Sequence, residues 1–150
     1  MRERPALFLG LLADQPELIA EVGVLRWRAA GSRGTPGPWI EATAGDARGA
    51  GLPLTLVAMD LEGHAIGAVT LECREQAAWV VGMVVRPGER RCGVGRLLVE
   101  ALEDLARDHG HDVLQVYAEE ADLDFYRRCG WLAEETPSAP GVLSKPLAGG

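Results

Sequence analysis

The sequence predicts an α/β (α+β) fold: a mixed, mostly antiparallel central sheet of six to seven strands with helices on both faces. Seven short segments have the apolar composition and the flanking turn residues of strands. Four other segments carry helix start signals, helix stop signals or apolar residues at helical spacing. The resulting order β, α, α, β, β, β, α, β, α, β, β is typical of a mixed sheet covered by helices.

The N-terminal part of the chain predicts one strand followed by two helices. The strand is expected over residues 5–12 (PALFLGLL). The sequence DQPE, which begins at Asp14, is a capping-box arrangement with proline inside the first turn, so a helix is expected to begin there and run to about Ala30. Residues 31–38 (GSRGTPGP) are rich in helix breakers and predict a loop, and a second short helix is expected over residues 39–47.

Three consecutive strands and a long helix are predicted next. The strands are expected over residues 52–60, 65–75 and 78–85, and the turn LEGH joins the first two as a hairpin. The third strand, AWVVGMVV, is mostly apolar, as a buried central strand is. From Val94 onward, apolar residues recur at helical spacing until Gly110, which is a helix stop signal.

The C-terminal part predicts a strand, a short helix and a final hairpin. The strand is expected over residues 112–118 and the helix over 121–130. Two further strands, 131–136 and 141–147, flank the turn sequence PSAP. Neither a repeat nor a linker divides the chain, so residues 1–150 are expected to form a single domain.

Composition and charge exclude several classes of partner. The net charge of −7, without a basic face or tail, argues against nucleic acid and against an anionic membrane surface. No apolar run approaches the ~20 residues that span a bilayer, so no membrane partner is expected. The three cysteines are an odd number without metal-ligand spacing, which favours a cytoplasmic protein with reduced thiols and no metal.

One window of this acidic chain is cationic, and it lies where the third of those strands turns into the long helix. Its four arginines, accompanied by a single acidic residue, are Arg86, Arg90, Arg91 and Arg96. The N-terminus of a helix offers N–H groups without helical acceptors and a partial positive charge, which together bind phosphate. Gly93 and Gly95 let a diphosphate approach the backbone without an intervening Cβ. The turn is therefore predicted to bind a pyrophosphate.

Two other phosphate-binding motifs do not fit this turn. A dinucleotide-binding fingerprint needs a third glycine at the position of Leu98. A P-loop needs Gly-Lys-Ser/Thr, whereas Gly93 is followed by Val94 and Gly95. A nucleotide-binding protein is thus disfavoured. The remaining alternative is a helix start that has two glycines and surface arginines without a phosphate ligand.

Two segments together resemble the GNAT superfamily of N-acetyltransferases. RRCGVG (90–95) is similar to its acetyl-CoA signature, Arg/Gln-x-x-Gly-x-Gly/Ala. FYRRCGW (125–131) is similar to its downstream element, Phe-Tyr-x-x-x-Gly-Phe/Trp. The resemblance extends over roughly residues 14–147. It implies the acyl-CoA N-acyltransferase fold, a single N-acetyltransferase domain over residues 1–150, and acetyl-CoA as co-substrate without a metal.

The resemblance also implies roles for individual residues. Met83, Val84 and Val85, before the turn, would lie along the pantetheine arm and the thioester. The residues that would hold the pyrophosphate are Arg90, Arg91, Cys92, Gly93, Val94, Gly95 and Arg96. Tyr126 would protonate the departing coenzyme A thiolate after an amine attacks the thioester directly. Packing in the core is the alternative explanation for Tyr126.

The sequence departs from the family in its central strand, because many relatives have a carboxylate base there and this chain has none between Trp79 and Met83. The candidate bases outside that strand are Glu72, Glu75, Glu119 and Glu120. Each is also explained as a solvated surface charge. The general base therefore stays open, as does an alternative function as an acyl-CoA-binding regulatory protein with little or no turnover.

The acceptor is expected to be an amine on a small molecule or a peptide. Its selection is expected to involve the loop over residues 31–38 and Trp39, because loops on a rigid scaffold commonly set specificity. Small relatives often form dimers, so a homodimer is a further possibility that the resemblance raises.

Overall fold

The computed structural model describes residues 7–48, 51–89, 93–133 and 141–147. The strands in this part of the chain are β1 Phe8–Leu11, β2 Leu54–Met59, β3 Ala65–Arg74, β4 Ala77–Val85, β5 Val113–Tyr117, β6 Leu132–Ala133 and β7 Val142–Pro146. The α-helices are α1 Ile19–Ala29, α2 Gly37–Gly45, α3 Val94–Asp108 and α4 Leu123–Arg128. None of these helices is long and apolar enough to cross a membrane.

All seven strands belong to one sheet, in the order β1-β2-β3-β4-β5-β7-β6. Neighbouring strands are antiparallel except β4 and β5, which are parallel and are connected through α3. The predicted mixed, mostly antiparallel sheet is therefore confirmed. The hairpin between β2 and β3 is confirmed as well, and it is closed by a hydrogen bond from the Asp60 N–H to the His64 carbonyl oxygen (2.9 Å).

Apolar side chains are buried on both faces of the sheet. On one face, α3 and α4 cover a cluster that includes Leu98, Leu102 and Leu114, each with 0% exposure. On the other face, α1 packs Val22 against Val57 and its neighbours. Full burial of one such side chain contributes about 1.5–3 kcal/mol, so these clusters hold the helices to the sheet. The prediction of helices on both faces is confirmed.

The start of α1 differs from the prediction. The expected capping box at Asp14 is wrong, because α1 begins at Ile19 and no side chain caps it. Leu12–Asp14 and Pro16–Leu18 instead form two 3₁₀ turns. The buried positions of Leu12 and Leu18, 0% and 5% exposed, explain the difference: both leucines pack into the α1-side core, and two short turns achieve this.

The two helices on the α1 side approach each other closely at Gly23. An ideal Cβ atom at Gly23 would lie 2.7 Å from Cα and 2.8 Å from Cγ1 of Ile40 in α2. Because no real Cβ atom tolerates 2.7 Å, only glycine allows this separation of α1 and α2. The contact fixes where α2 lies above the sheet.

We expect Gly23→Ala to lower the free energy of unfolding by about 1–3 kcal/mol, because the backbone of α2 must move to admit a methyl group. The higher helix propensity of alanine, worth about 1 kcal/mol, offsets only part of this. Gly45→Ala in α2 is the matched control, since no described residue outside its own stretch of helix lies within 4 Å of its ideal Cβ atom. Urea unfolding followed by circular dichroism measures both. A Gly23→Ala protein as stable as the wild type would contradict the close approach.

Candidate active site

Strands β4 and β5 separate part of the way along the sheet. They pair over Ala78↔Leu114, Trp79↔Gln115 and Val80↔Val116. Beyond this point β4 continues alongside β3 as far as Gly67↔Val85, but its residues 81–84 have no partner on β5. A strand edge without a neighbouring strand presents backbone N–H and C=O groups that are available to a ligand. We call this opening the β4–β5 gap.

The β4 strand carries a bulge where the gap begins. The register with β3 changes from Thr70↔Val81 to Ala68↔Val84, so β4 has one extra residue. Gly82 lies in the bulge with φ of +64°, a left-handed conformation that side chains other than glycine rarely adopt. This bulge was not predicted from the sequence. The signal was present, because an isolated glycine inside a strand pattern indicates a bulge or a close backbone approach.

Beyond the gap, the chain passes through a turn and enters α3. Gly93 is the residue before the helix, with φ of +85° and no side-chain cap. The first helical hydrogen bond runs from the Leu97 N–H to the Gly93 carbonyl oxygen (3.0 Å). The N–H groups of Val94, Gly95 and Arg96 therefore have no acceptor within the helix. This is the arrangement that binds anions.

Not every residue that was predicted to bind the pyrophosphate lies in the described part of the chain. Arg90, Arg91 and Cys92 fall outside the described residues, so their roles remain predictions. Val94 is 1% exposed and belongs to the core, so only its backbone is available to a ligand. Arg96 forms an exposed ion pair with Glu100 (Nε to Oε1, 3.1 Å). Exposed pairs of this kind contribute about 0–1 kcal/mol, so Arg96 can exchange Glu100 for an anion at low cost.

Arg86 has a different role from the other arginines of the cationic window. Its Nη2 atom lies 2.9 Å from Oε1 of Glu89 and 3.5 Å from Oδ2 of Asp60. The hydrogen bond to Glu89 raises the pKa of Arg86. Its backbone N–H also donates to the carbonyl oxygen of Ile66 (2.8 Å). Arg86 therefore fastens the start of the turn to the β2–β3 hairpin.

Gly95, at the start of α3, lies between Phe125 of α4 and Val85 at the end of β4. An ideal Cβ atom at Gly95 would lie 3.3 Å from Cζ of Phe125 and 3.7 Å from Cγ2 of Val85. The missing side chain at Gly95 thus leaves room for Phe125. Three predicted parts of the site, the end of β4, the first turn of α3 and the Phe-Tyr element, are brought together here.

Tyr126 follows Phe125 and is 4% exposed. Its ring makes edge-to-face contacts with Phe125 (5.0 Å between centroids) and Trp131 (5.4 Å). Burial raises the pKa of the Tyr126 phenol well above its usual value, and the charges of Asp122 and Cys129 add to this. Tyr126 therefore stays protonated at neutral pH and can only donate its proton. Its packing role and a role as proton donor are compatible.

The candidate bases lie at different ends of the sheet. Glu75 lies in the turn before β4, with φ of +49°, about 20 Å along the strand from the bulge. Glu72 lies opposite Trp79 and is paired with Arg74 (2.6 Å). Glu119 and Glu120 are exposed and follow the carboxyl end of β5. Because β4 and β5 are parallel, Glu119 and Glu120 are at the same end of the sheet as the gap.

The Asp60 carboxylate organises the hairpin that Arg86 contacts. Its Oδ1 atom accepts hydrogen bonds from the backbone N–H groups of His64 (2.9 Å) and Glu62 (3.0 Å). These bonds, His64 first, and the charge of Arg86 lower the pKa of Asp60. A carboxyl group whose pKa is lower in the folded state than in the unfolded state stabilises the fold. This stabilisation is fully present at pH values above the unfolded-state pKa, about 3.9, and it is lost as the pH falls through the folded-state pKa.

We therefore expect Asp60→Asn to melt below the wild type at pH 7, and the difference in melting temperature to shrink as the pH falls below about 4. The amide oxygen of asparagine can still accept the turn hydrogen bonds, so the variant isolates the charge. Glu62→Gln, an exposed neighbour in the same turn, should match the wild type throughout. Calorimetric melting across the pH range gives the result. A pH-independent difference for Asp60→Asn would contradict it.

Several solved structures share the fold of this chain. A structure of an aminoglycoside 6′-N-acetyltransferase complexed with coenzyme A superposes with a TM-score of 0.78 at 14% identity, over 95% of this chain and 98% of that chain. The PaiA N-acetyltransferase from Thermoplasma acidophilum, in complex with coenzyme A, gives 0.73 at 18% identity, over 94% and 99%. A GNAT family N-acetyltransferase from Escherichia coli, in complex with CoA, gives 0.71 at 21%, over 99% and 86%.

At these identities the structural matches show a shared fold, and the predicted acyl-CoA N-acyltransferase fold is confirmed. A comparison with curated protein sequences gives no match. The family comes from a sequence model described as the acetyltransferase (GNAT) family, which matches residues 21–131. This segment contains most of α1, all of α2, α3 and α4, and the β4–β5 gap, and it supports an acyltransferase enzyme. Because the match spans well over half of the 150 residues, the chain belongs to the GNAT family of acetyltransferases.

Proposed function

We propose that residues 1–150 form one N-acetyltransferase domain, which transfers an acetyl group from acetyl-CoA directly to an amine on a small molecule or a peptide. The observation that carries this proposal is the β4–β5 gap, which opens next to the N-terminus of α3. An extended ligand with an anionic end needs both features together. Three of the similar structures contain coenzyme A, which supports the same ligand here.

The pyrophosphate of the coenzyme would be held by the N–H groups of Val94, Gly95 and Arg96. Arg90, Arg91, Cys92 and Gly93 complete the proposed turn. The fit is supported at Gly93, where no described residue apart from its chain neighbours has an atom within 4 Å of an ideal Cβ position, which leaves the backbone accessible on that side. Arg96 is more than half exposed and adds a mobile positive charge at the rim.

The pantetheine arm would lie along Met83, Val84 and Val85. Extended backbone can hydrogen-bond the amide groups of this arm in the way that a neighbouring strand would. Met83 and Val85 pack against the α3-side cluster, whereas Val84 packs on the α1 side, so the strand is fixed from both faces. A fixed strand edge holds the thioester in one orientation, which favours attack by a positioned amine.

Acetyl-CoA supplies a thioester with a thiol leaving group. The chain would assist two proton transfers, one to the departing thiolate and one from the acceptor amine. The thiol has a pKa of ~8.5 and can depart without a proton donor, so a protonated Tyr126 would accelerate the step without being indispensable to it. The acceptor is more demanding, because an amine with a pKa of ~10.4 is neutral in only about one molecule in 2,500 at pH 7. Of the candidate carboxylates, Glu119 and Glu120 are favoured as the base because they lie at the end of the sheet where the gap opens.

One observation favours a second function, an acyl-CoA-binding regulator with little turnover. The bulge of β4, which lies next to the proposed thioester site, contacts a buried cation, Arg26, rather than a carboxylate. Thiol release from acetyl-CoA over a panel of amines separates the two functions. Coenzyme binding without thiol release for any amine would favour the regulator.

Titration calorimetry tests the coenzyme site. We expect coenzyme A and acetyl-CoA to bind, and Arg96→Met to weaken coenzyme A about fivefold, equivalent to ~1 kcal/mol for a hydrogen bond to a charged group near the surface. Pantetheine, which lacks the pyrophosphate, should bind both proteins equally. Arg107→Met, at the other end of α3, is the matched control because Arg107 also pairs with an acidic neighbour, Asp104. Failure of both coenzyme forms to bind the wild type would overturn the proposed function.

Tyr126→Phe is expected to lower turnover about 10²-fold or more while leaving the dissociation constant of coenzyme A nearly unchanged. The melting temperature should change little, because phenylalanine keeps the ring contacts with Phe125 and Trp131. Tyr117→Phe is the control, because Tyr117 is 67% exposed on β5. Steady-state thiol release with any accepted amine gives the rates. Equal turnover of Tyr126→Phe and the wild type would remove Tyr126 from the mechanism.

A further inference from the structure

An arginine is buried between α1 and the sheet, directly beneath the bulge of β4. Arg26 is 8% exposed, although it belongs to a helix whose other inward-facing residues are apolar. Its Nε atom donates to the carbonyl oxygen of Gly82 (3.0 Å), and Nη2 donates to the hydroxyl of Thr70 (3.0 Å). Its Nη1 atom contacts the hydroxyl of Thr43 in α2 (3.3 Å) and lies 3.6 Å from Oδ2 of Asp46.

The guanidinium and the glycine of the bulge depend on each other. An ideal Cβ atom at Gly82 would lie 2.7 Å from Nη2 and 2.9 Å from Cζ of Arg26. A side chain at position 82 would therefore displace the guanidinium, even apart from the positive φ of Gly82. Arg26 occupies the space that the missing side chain leaves, and it binds the backbone there.

The surrounding polar groups are arranged to keep this cation in place. Thr70 shares a hydrogen bond with Thr55 (2.7 Å), and the Thr55 hydroxyl donates to the carbonyl oxygen of Asp46 (3.0 Å). Burial lowers the pKa of Arg26, and the Asp46 carboxylate opposes this. Well-packed apolar residues commonly stabilise a fold as well as a buried ionic network does. Stability alone therefore does not account for a buried cation whose Nε atom donates to the Gly82 carbonyl oxygen.

The position of that carbonyl group connects Arg26 to the gap. A trans peptide is planar, and its C=O and N–H bonds point in opposite directions. Because the Gly82 carbonyl oxygen points at Arg26, the N–H of Met83 in the same peptide points away from Arg26. The Gly82–Met83 peptide lies within residues 81–84, which β5 does not pair. A hydrogen bond to a charged donor also polarises the peptide, which makes its N–H a stronger donor.

We propose that Arg26 is a positioning residue for acetyl transfer, which holds the Gly82 carbonyl on the α1 side so that the Met83 N–H is presented to the thioester oxygen of acetyl-CoA. This inference rests on the proposed function, because it needs acetyl-CoA in the β4–β5 gap. Arg26 itself touches neither substrate. It acts through one peptide unit.

The test is the infrared carbonyl stretch of acetyl-CoA labelled with ¹³C at the thioester carbon, bound to the full-length protein. In the wild type, the stretch should shift to lower frequency on binding. In Arg26→Met the shift should be largely lost and turnover should fall about 10- to 100-fold, while the dissociation constant of coenzyme A should change less than about threefold. Arg28→Met is the matched control, since Arg28 is exposed on the same helix.

Arg26→Lys keeps the charge without the forked geometry, and it is expected to retain only part of the frequency shift. It also decides the outcome if Arg26→Met does not fold. The positioning role would be overturned if Arg26→Lys, and Arg26→Met where it folds, showed the same frequency shift as the wild type, even with a lower melting temperature. The proposed function would be unaffected by that result. Absence of acetyl-CoA binding to the wild type would instead overturn the proposed function itself.

Discussion

The separation of β4 from β5 after Val80↔Val116 is the constraint on which the rest of the structure depends. A central strand normally satisfies its backbone on both sides, and here β5 does not pair with residues 81–84 of β4. The elements around the gap compensate for the missing neighbour. The antiparallel ladder to β3 holds one edge of β4, buried side chains fix both faces, and Arg86 ties the end of the strand to the β2–β3 hairpin.

The long-range organisation of this fold could be predicted from the sequence because its signals are local and repeated. The apolar spacing from Val94 onward predicted α3, which the structure gives as Val94–Asp108. The Gly-rich turn and the Phe-Tyr element are 30 residues apart in sequence, yet they meet because Phe125 fills the space beside Gly95. This contact was not predicted, since no local signal in the sequence encodes a contact between two helices.

The features that were missed depend on tertiary packing. The start of α1 was misplaced because the burial of Leu12 and Leu18 outweighed a good capping sequence. Arg26 was passed over, although it lies four residues after Val22 and so on the same helix face as the buried apolar residues. An arginine at such a position indicates a buried polar partner. That partner, the Gly82 carbonyl group, cannot be identified before the sheet register is known.

The bulge at Gly82 also affects which molecules can pair with the open edge of β4. A regular exposed edge is a template on which a foreign polypeptide can add a strand, and this is how many proteins aggregate. The extra residue in β4 breaks the even spacing of donors and acceptors, so a passing peptide cannot align with residues 81–84 in register. A flexible, non-peptide chain with only a few amides has no such requirement. The same irregularity therefore disfavours strand addition at residues 81–84 without hindering the coenzyme proposed for the gap.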